Sequence, residues 1–381
     1  MTGVWIAGTG VTPFGRHADL DVVALGARAA RDALAASGLA ASQITMGVFA
    51  NALAGRLMGA LTLGQNVLAE VGISRIPVVN VENACTSGST ALHLAWTAIR
   101  AGEADAVLVV GAEKMCVPQM GLIDSGETQI DTLLGMVTPA SFALRAMRHV
   151  HEFGTTPLQL AAVSVKNRAN AAHNPIAMFR APVSLPEVLD APLIADPLTR
   201  LQCCPIADGA AAVVLVNDRL ARRLGATVQV AASVLTSGGY DSDGDLVRWE
   251  TDSRTAALAY DKAGVGPGDL DLVECHDAFT IAEILHYEGL GLCPTGEGGR
   301  FVESGAASIG GRIPVNPSGG LIGRGHPVGA TGVAQVVEIA EQLLGRAGGR
   351  QVEGARLGLA HCMGGDKDGD AKSCTIAILK R

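Results

Sequence analysis

Apolar positions along the chain fall into two alternating kinds of run. VWIAGTG, from Val4, is a short apolar stretch ending in a turn. ADAVLVVGAE, ending at Glu113, is continuously apolar. Such a run is typical of a strand buried on both faces. Between them, Asp21 to Ser37 has helical spacing and strong helix formers, and stops at Gly38. The same grammar returns late: LDLVECHDAF as a strand, ATGVAQVVEIAEQLLG as a helix, ARLGLAHCMGG as a strand entering a Gly-Gly turn. Strand and helix alternating from end to end predict a layered α/β fold.

The pattern also repeats. ALAASGLAASQITMGVF resembles ALAYDKAGVGPGDLDLVEC, each a helix ending near a glycine (Gly38, Gly264) before a strand. CTSGSTALHLAWTAI aligns with HPVGATGVAQVVEIA, so that Cys85 and His326 occupy equivalent places. Two similar halves would meet about a pseudo-dyad, with equivalent helix N-termini facing each other. The alternative is chance similarity among Ala/Gly-rich segments. From about Val117 the rhythm breaks, and a proline-punctuated stretch reads as an insertion over one face of the first half.

Composition narrows the function. Apolar residues are 48% and charged residues 17% of 381, which excludes a disordered tail or a coiled coil. Aromatic residues are 3%, too few for a surface that stacks nucleic-acid bases. A net charge of −8 does not attract nucleic acid or an anionic membrane. The start MTGVWIAGTG lacks the features of a signal peptide, and no stretch is apolar enough to span a bilayer. The eight cysteines include no CxxC pair, so no zinc ribbon is encoded and no metal site is expected. They read as reduced thiols of a cytoplasmic protein.

Four side chains stand out chemically. Cys85, in NVENACTSGSTALHLAW, lies just before a helix, where the helix dipole lowers a thiol pKa. His326, in NPSGGLIGRGHPVGATG, lies in a glycine-rich loop and could take a thiol proton. The bland reading is a histidine bonded to its own loop. Cys362 precedes a glycine pair whose N–H groups could face an oxyanion. His276 ends a strand, where ligands of α/β folds sit, and Asp277 beside it suits a cap or support role. Arg145, Lys166 and Arg168 lie in a locally basic stretch, either a site for a phosphorylated ligand or a solvated helix face.

Taken together, NACTSGS, CPIADGAAAVVL, HDAF, GHPVGATG and HCMGG resemble the motifs of the thiolase superfamily, in family order and over essentially the full length. The branch they resemble is that of the SCP2-thiolase-like and archaeal-type acetyl-CoA acyltransferases. The resemblance implies an αβαβα fold of two similar five-layered halves with an inserted loop domain. The expected units are 1–116 with 205–225, the loop domain 117–204 covering coenzyme A, and 226–381. It implies thiolytic Claisen chemistry on 3-oxoacyl-CoA: Cys85 as acyl acceptor, His326 as its base, Cys362 as the acid/base at the α-carbon. His276 and His326 would form one oxyanion hole, and the N–H groups of Cys85 and Gly364 the other. Some relatives carry the second cysteine where this chain has Ala278, which leaves Cys362 for that role. The acidic stretch Asp366–Cys374 departs from the family pattern and suggests a longer loop near the pocket. Coenzyme A is implied as substrate, with no permanently bound cofactor. A homodimer or dimer of dimers through VVNV is implied, and a separate OB-fold partner carrying a zinc ribbon, set against a self-sufficient oligomer. Alternatives are a thiolase-like retro-aldolase acting on a branched acyl-CoA, or a non-catalytic thiolase-like subunit.

Overall fold

The computed structural model describes residues 2–118, 120–121, 129–240 and 245–381. Part of the expected insertion, residues 119 and 122–128, lies outside the described residues. The first half runs β1 (Val4–Val11), α1 (Val22–Ser37), β2 (Met46–Ala50), α2 (Ala54–Met58), α3 (Leu63–Ala69), β3 (Val78–Val81), α4 (Ser87–Ala101) and β4 (Ala106–Glu113). A stretch follows with α5 (Ile130–Leu133), α6 (Thr138–Phe153), α7 (Pro157–Ala171), α8 (Leu185–Leu189) and the hairpin β5 (Leu193–Ala195) and β6 (Leu198–Thr199). Then β7 (Gly209–Asn217) and α9 (Asp218–Leu224) close the first half. The second contains β8 (Val228–Thr236), α10 (Glu250–Ala263), β9 (Leu272–Glu274), α11 (Thr280–Gly289), α12 (Gly298–Glu303), α13 (Gly320–Arg324), α14 (Val328–Leu343), β10 (Leu357–Lys367) and β11 (Asp370–Lys380).

Nine strands join in the order β3-β2-β4-β7-β1-β8-β11-β10-β9. The order is mirror-like about the β1–β8 junction. A parallel bridge from Val273 to Val315 adds the counterpart of β3 at the far edge. The repeat seen in the sequence is therefore structural. Helices α1 and α10 end on left-handed glycines, Gly38 at φ +69 and Gly264 at φ +70. Each is followed by one 3-10 turn, Ala41–Gln43 or Pro267–Asp269, and then by β2 or β9.

Burial explains the continuous apolar runs. On β4, Ala106, Leu108, Val110 and Ala112 join the core under α1 and α3, while Val107 and Val109 join the core around α4 and α14. Strand β11 behaves alike: Ile376 and Ile378 face α10 and α11, while Ala377 and Leu379 face α4 and α14. Both faces of each half-sheet are covered, so period-two alternation of polarity disappears. The five layers are outer helices, half-sheet, central helices, half-sheet and outer helices.

The central helices approach closely because they meet at glycines. A Cβ on Gly88 of α4 would lie 2.7 Å from Gly329 O of α14, and one on Gly332 only 2.5 Å from Ser89 N. Two expectations change here. The insertion does not lie over the first half: α7 packs on α11, α12 and α13, and Ala146, Leu160 and Val163 share a core with Phe279 and Ile281. The long loop expected over Asp366–Cys374 is instead a β-hairpin. Strand β10 runs through the glycine pair to Lys367, and Asp368 (φ +53) with Gly369 (φ +81) makes the turn.

Candidate active site

The turn before α4 is tied tightly. Ser87 Oγ donates to Ala84 O (2.6 Å) and accepts from Asn83 N (2.8 Å), and Thr86 Oγ1 donates to Asn83 O (2.6 Å). Ala84 sits at φ +48, a left-handed conformation that costs a side-chain-bearing residue roughly 1–2 kcal/mol. The turn holds Cys85 half-buried with its sulfur facing the N–H of Gly365 and its own N–H. Burial pushes the Cys85 thiol up to about 12, outweighing those two N–H groups, and Glu113 and Glu82 add to the rise. The lowered value expected from the helix start is thus corrected: desolvation of the thiolate exceeds the favourable dipole. The resting nucleophile is a neutral thiol and requires a base.

His326 meets that requirement. Its Nδ1 lies 2.8 Å from Thr331 Oγ1, whose own hydrogen goes to Pro327 O at 3.0 Å. Thr331 therefore accepts from Nδ1–H, which leaves Nε2 with a free lone pair. Burial first, then Arg324, holds the imidazole well below its ordinary range, at about 3, so it is neutral. One ligand atom from each of Cys85, His276 and His326 lies within 4.8 Å of the others. The His276 and His326 rings meet edge to face at 5.0 Å.

Cys362 enters the same cluster from β10. Its Sγ donates to Cys85 O at 3.0 Å and lies 3.4 Å from His276 Nδ1. Burial, and then the neighbouring Cys85, raises its thiol far above the usual range. His276 is driven the other way: burial and then the other histidines hold it well below its ordinary value. Gly364 lies where a Cβ would come within 2.9 Å of Cys85 N, so only glycine leaves that N–H open. The N–H that faces the sulfur belongs to Gly365, one residue past the glycine named from the motif.

Asp277 is a support. Its carboxylate accepts from the N–H groups of Leu321 (2.7 Å) and Ile322 (3.3 Å), and so caps α13 rather than the α11 that follows it in sequence. Glu113 escaped the sequence reading. It ends β4 and accepts from the N–H groups of Ala52 (2.9 Å), Leu53 (3.2 Å) and Gly329 (2.9 Å), fastening the start of α14 and thereby the His326 loop. An acid ending a fully apolar strand was the available signal. Burial raises it to about 7.

The three basic residues do not form a phosphate site. Lys166 pairs with Glu283 at 2.8 Å and donates to Val315 O, Arg168 donates to Ala181 O, and Arg145 donates to Leu246 O and Gly369 O. All three are under 10% exposed, so their charges are committed inside the protein. Charge pattern alone could not separate an inward-facing cation from a solvated one.

A cavity of about 280 Å³ opens beside Cys85 and His276, walled by Phe142, Trp249, Met363, Ala278 and Ala282. It suits an apolar group attached to the nucleophile.

Family models decide the identity: "Thiolase, N-terminal domain" matches residues 4–219 and "Thiolase C-terminal domain-like" matches 232–381. The chain belongs to the thiolase family. It is an acyltransferase of coenzyme A thioesters. This thiolase is 40% identical to the benzoylsuccinyl-CoA thiolase subunit BbsB of Thauera aromatica, over 95% of its length and 94% of the relative's. It is also 40% identical to an acetyl-CoA acetyltransferase of Methanothermobacter thermautotrophicus, covering 96% and 97%. It is 36% identical to human sterol carrier protein 2, over 95% of this thiolase and 70% of that protein. Among solved structures, the "Ltp2-ChsH2(DUF35) aldolase" matches with a TM-score of 0.84 at 25% identity, covering 99% and 97%. Human mitochondrial 3-ketoacyl-CoA thiolase shares the fold, with a TM-score of 0.77 at 19% identity over 100% and 98%.

Proposed function

We propose that this thiolase cleaves or forms 3-oxoacyl-CoA through an acyl intermediate on Cys85. The supporting observation is the convergence of Cys85, His276, His326 and Cys362 beside an apolar cavity. Cys85 gives its proton to His326 Nε2 and attacks the 3-oxo carbonyl. The tetrahedral oxyanion accepts from the N–H groups of Cys85 and the Gly364–Gly365 stretch. Collapse breaks the bond between the α-carbon and the former carbonyl carbon, and its electron pair passes into a thioester enolate. The enolate oxygen is held by protonated His326 and by a water on His276. Cys362 protonates the α-carbon, and the coenzyme A thioester of that fragment leaves, while the shortened acyl chain stays on Cys85. Coenzyme A then gives its thiol proton to the Cys362 thiolate and its sulfur attacks acyl-Cys85. Cys85 departs and recovers its proton from His326. Neutral resting groups suit this sequence, because each charge forms only as its partner forms.

Coenzyme A is the substrate and no permanently bound cofactor is needed. We take residues 1–116 with 205–225, 117–204 and 226–381 as the working units, with the middle one roofing coenzyme A. The cytosol is the proposed compartment, and among the described residues no helix is long and apolar enough to cross a membrane. The open edge strand β3 is the proposed dimer seam. A separate OB-fold partner with a zinc ribbon is a further part of the proposal. It is supported by one relative's name as a subunit and by the two-part name of the aldolase neighbour.

That neighbour also supports a second reading, retro-aldol cleavage of a branched acyl-CoA. Incubation of the purified chain with a panel of 3-oxoacyl-CoA and branched 3-hydroxyacyl-CoA thioesters, with and without coenzyme A, separates the two. Thiolysis consumes coenzyme A and yields two thioesters, and Cys85→Ser abolishes it. Release of a ketone or aldehyde from a 3-hydroxyacyl-CoA, with no coenzyme A consumed, would overturn the thiolase reading.

A further inference from the structure

A second group of buried titratable side chains adjoins His276 and takes no part in the steps above. Asp252 comes from α10, His286 from α11 and His361 from β10, and each is 1% exposed or less. Asp252 Oδ2 lies 2.8 Å from His286 Nδ1, and Asp252 Oδ1 lies 3.0 Å from His361 Nε2. The other nitrogen of each ring reaches the main chain of His276. His286 Nε2 is 3.2 Å from His276 O, and His276 N donates to His361 Nδ1 at 3.4 Å. The four residues adjoin one another: an imidazole reaches each peptide group of His276, and the carboxylate between the rings bonds to His286 and lies at contact distance from His361 without an aligned hydrogen bond.

Hydrogen-bond roles and the direction of the Asp252 shift together assign the charges. Burial opposes ionisation of Asp252, yet His361 and His286 hold its carboxyl far below the usual range, so it is a carboxylate that only accepts. A carbonyl oxygen also only accepts. His286 therefore faces an acceptor on each nitrogen, and both contacts require a hydrogen on both. His361 accepts at Nδ1, so its hydrogen sits on Nε2, toward Asp252. The cluster is one carboxylate, one imidazolium and one neutral imidazole. It is net neutral, which a dry interior tolerates.

We propose that His286 is a positioning residue of this thiolase, a buried imidazolium that, with Asp252 and His361, fixes the main chain of His276. The proposal rests on the reading of His276 as part of the acyl-transfer site. It deepens that reading by assigning a task to a residue outside the reacting set. The fixed positive charge also opposes a second one on His276, keeping that ring neutral beside Cys362. His286 borders the acyl cavity under Trp249, whose ring stacks on it at 5.1 Å.

The charged and titratable surroundings are few. Asp252, Tyr260 and Cys374 come from α10 and β11, His361 and Cys362 from β10, and His276 precedes α11. From α6, Arg145 lies 4.5 Å from the Trp249 ring, and His149 pairs with Glu288. From α7, Lys166 is engaged by Glu283, and α12 brings Arg300, held by Glu297, and Glu303, held by Gln159.

Two measurements on the full chain test the proposal. In nitrogen-15 spectra of the histidine rings at pH 7.5, His286, assigned by its loss in His286→Gln, should show hydrogen on both nitrogens. A singly protonated ring would overturn the proposal without touching the thiolase reading. The second measurement follows thiolysis of acetoacetyl-CoA against pH. His286→Gln should keep KM within about twofold and lower kcat about 10- to 100-fold, as expected for a misplaced catalytic group. Its acid limb should move up by about half a pH unit or more, because His276 loses a neighbouring positive charge. The double variant Asp252→Asn with His286→Gln leaves no buried charge unpaired, and should fold while keeping the shifted limb. Wild-type kcat and limb in both variants, with only a lower melting temperature, would make the cluster merely structural. A wild-type chain inactive in thiolysis, with His286 doubly protonated, would refute the site reading and leave the charge assignment standing.

Discussion

The starts of α4 and α14 occupy equivalent places in the two halves, yet one presents a thiol and the other an imidazole. Cys85 and His326 each lie two residues before their helix. The turns differ too. Ala84 supplies the left-handed residue in one (φ +48), and Gly325 takes positive φ in the other (φ +104). Helix, glycine crossing and strand were retained in both halves, so the repeat supplies a scaffold. Chemistry arises because two different side chains at equivalent positions meet across Gly88 and Gly329.

The largest effect should follow from removing the difference itself. Cys85→Ser leaves a far poorer nucleophile, and we expect thiolysis to fall at least about a thousandfold. Near-wild-type turnover would show that the thiol side of the comparison carries no chemistry. Next, Cys362→Ala should still take an acyl group onto Cys85 from a simple acyl-CoA such as acetyl-CoA, seen by mass spectrometry, but lose about 10²–10⁴-fold in carbon–carbon bond cleavage of a 3-oxoacyl-CoA. Equal loss of both steps would place Cys362 in the nucleophilic half of the reaction instead.

The crossing itself can be broken. Gly88→Ala puts a Cβ against Gly329 O and Val333 N, backbone atoms that cannot swing aside. We expect a loss of roughly 1–3 kcal/mol in urea unfolding, as for other overpacked cores. An unchanged midpoint would mean that the helices slide freely. Acid sharpens the imidazole side. His326 is neutral when folded, with its value lowered from 6.5 to about 3, whereas the unfolded chain binds a proton below about 6.5. Stability should therefore be unaffected above pH 6.5 and fall as pH drops below it, by about 2 kcal/mol at pH 5 from this group. His276 and His361, also lowered, act in the same direction. His326→Asn should flatten that slope, and an identical slope would assign the acid sensitivity elsewhere. Smallest is Ala84→Gly, which makes the first turn resemble the second. Relief of left-handed strain and the added freedom of the unfolded chain nearly cancel, so we expect a change within about 1 kcal/mol. A larger loss, by melting temperature, would show that the Ala84 methyl is itself required.

Much of this was legible one residue at a time. Asp21 as N-cap and Gly38 as C-cap bound α1 where helical spacing begins and ends. The apolar run to Glu113 announced a strand covered on both faces. Cys85, His326, His276 and Cys362 were visible because each lies at an element end beside small residues, a local pattern. The Asp252–His286–His361 cluster was not. Its members come from three elements, and nothing local distinguishes a buried histidine on α11 from an exposed one.

What the sequence by itself determined is the order of elements, the internal repeat and the identity of the reactive groups, because caps, periodicity and motif spacing act over a few residues. Tertiary structure decided where charge sits. It turned Arg145, Lys166 and Arg168 inward, carried the insertion onto the second half, and made a hairpin of Asp366–Cys374. It also reversed the expected shift at Cys85. Protonation and pairing depend on which groups lose water together, and that is set by contacts between residues hundreds of positions apart.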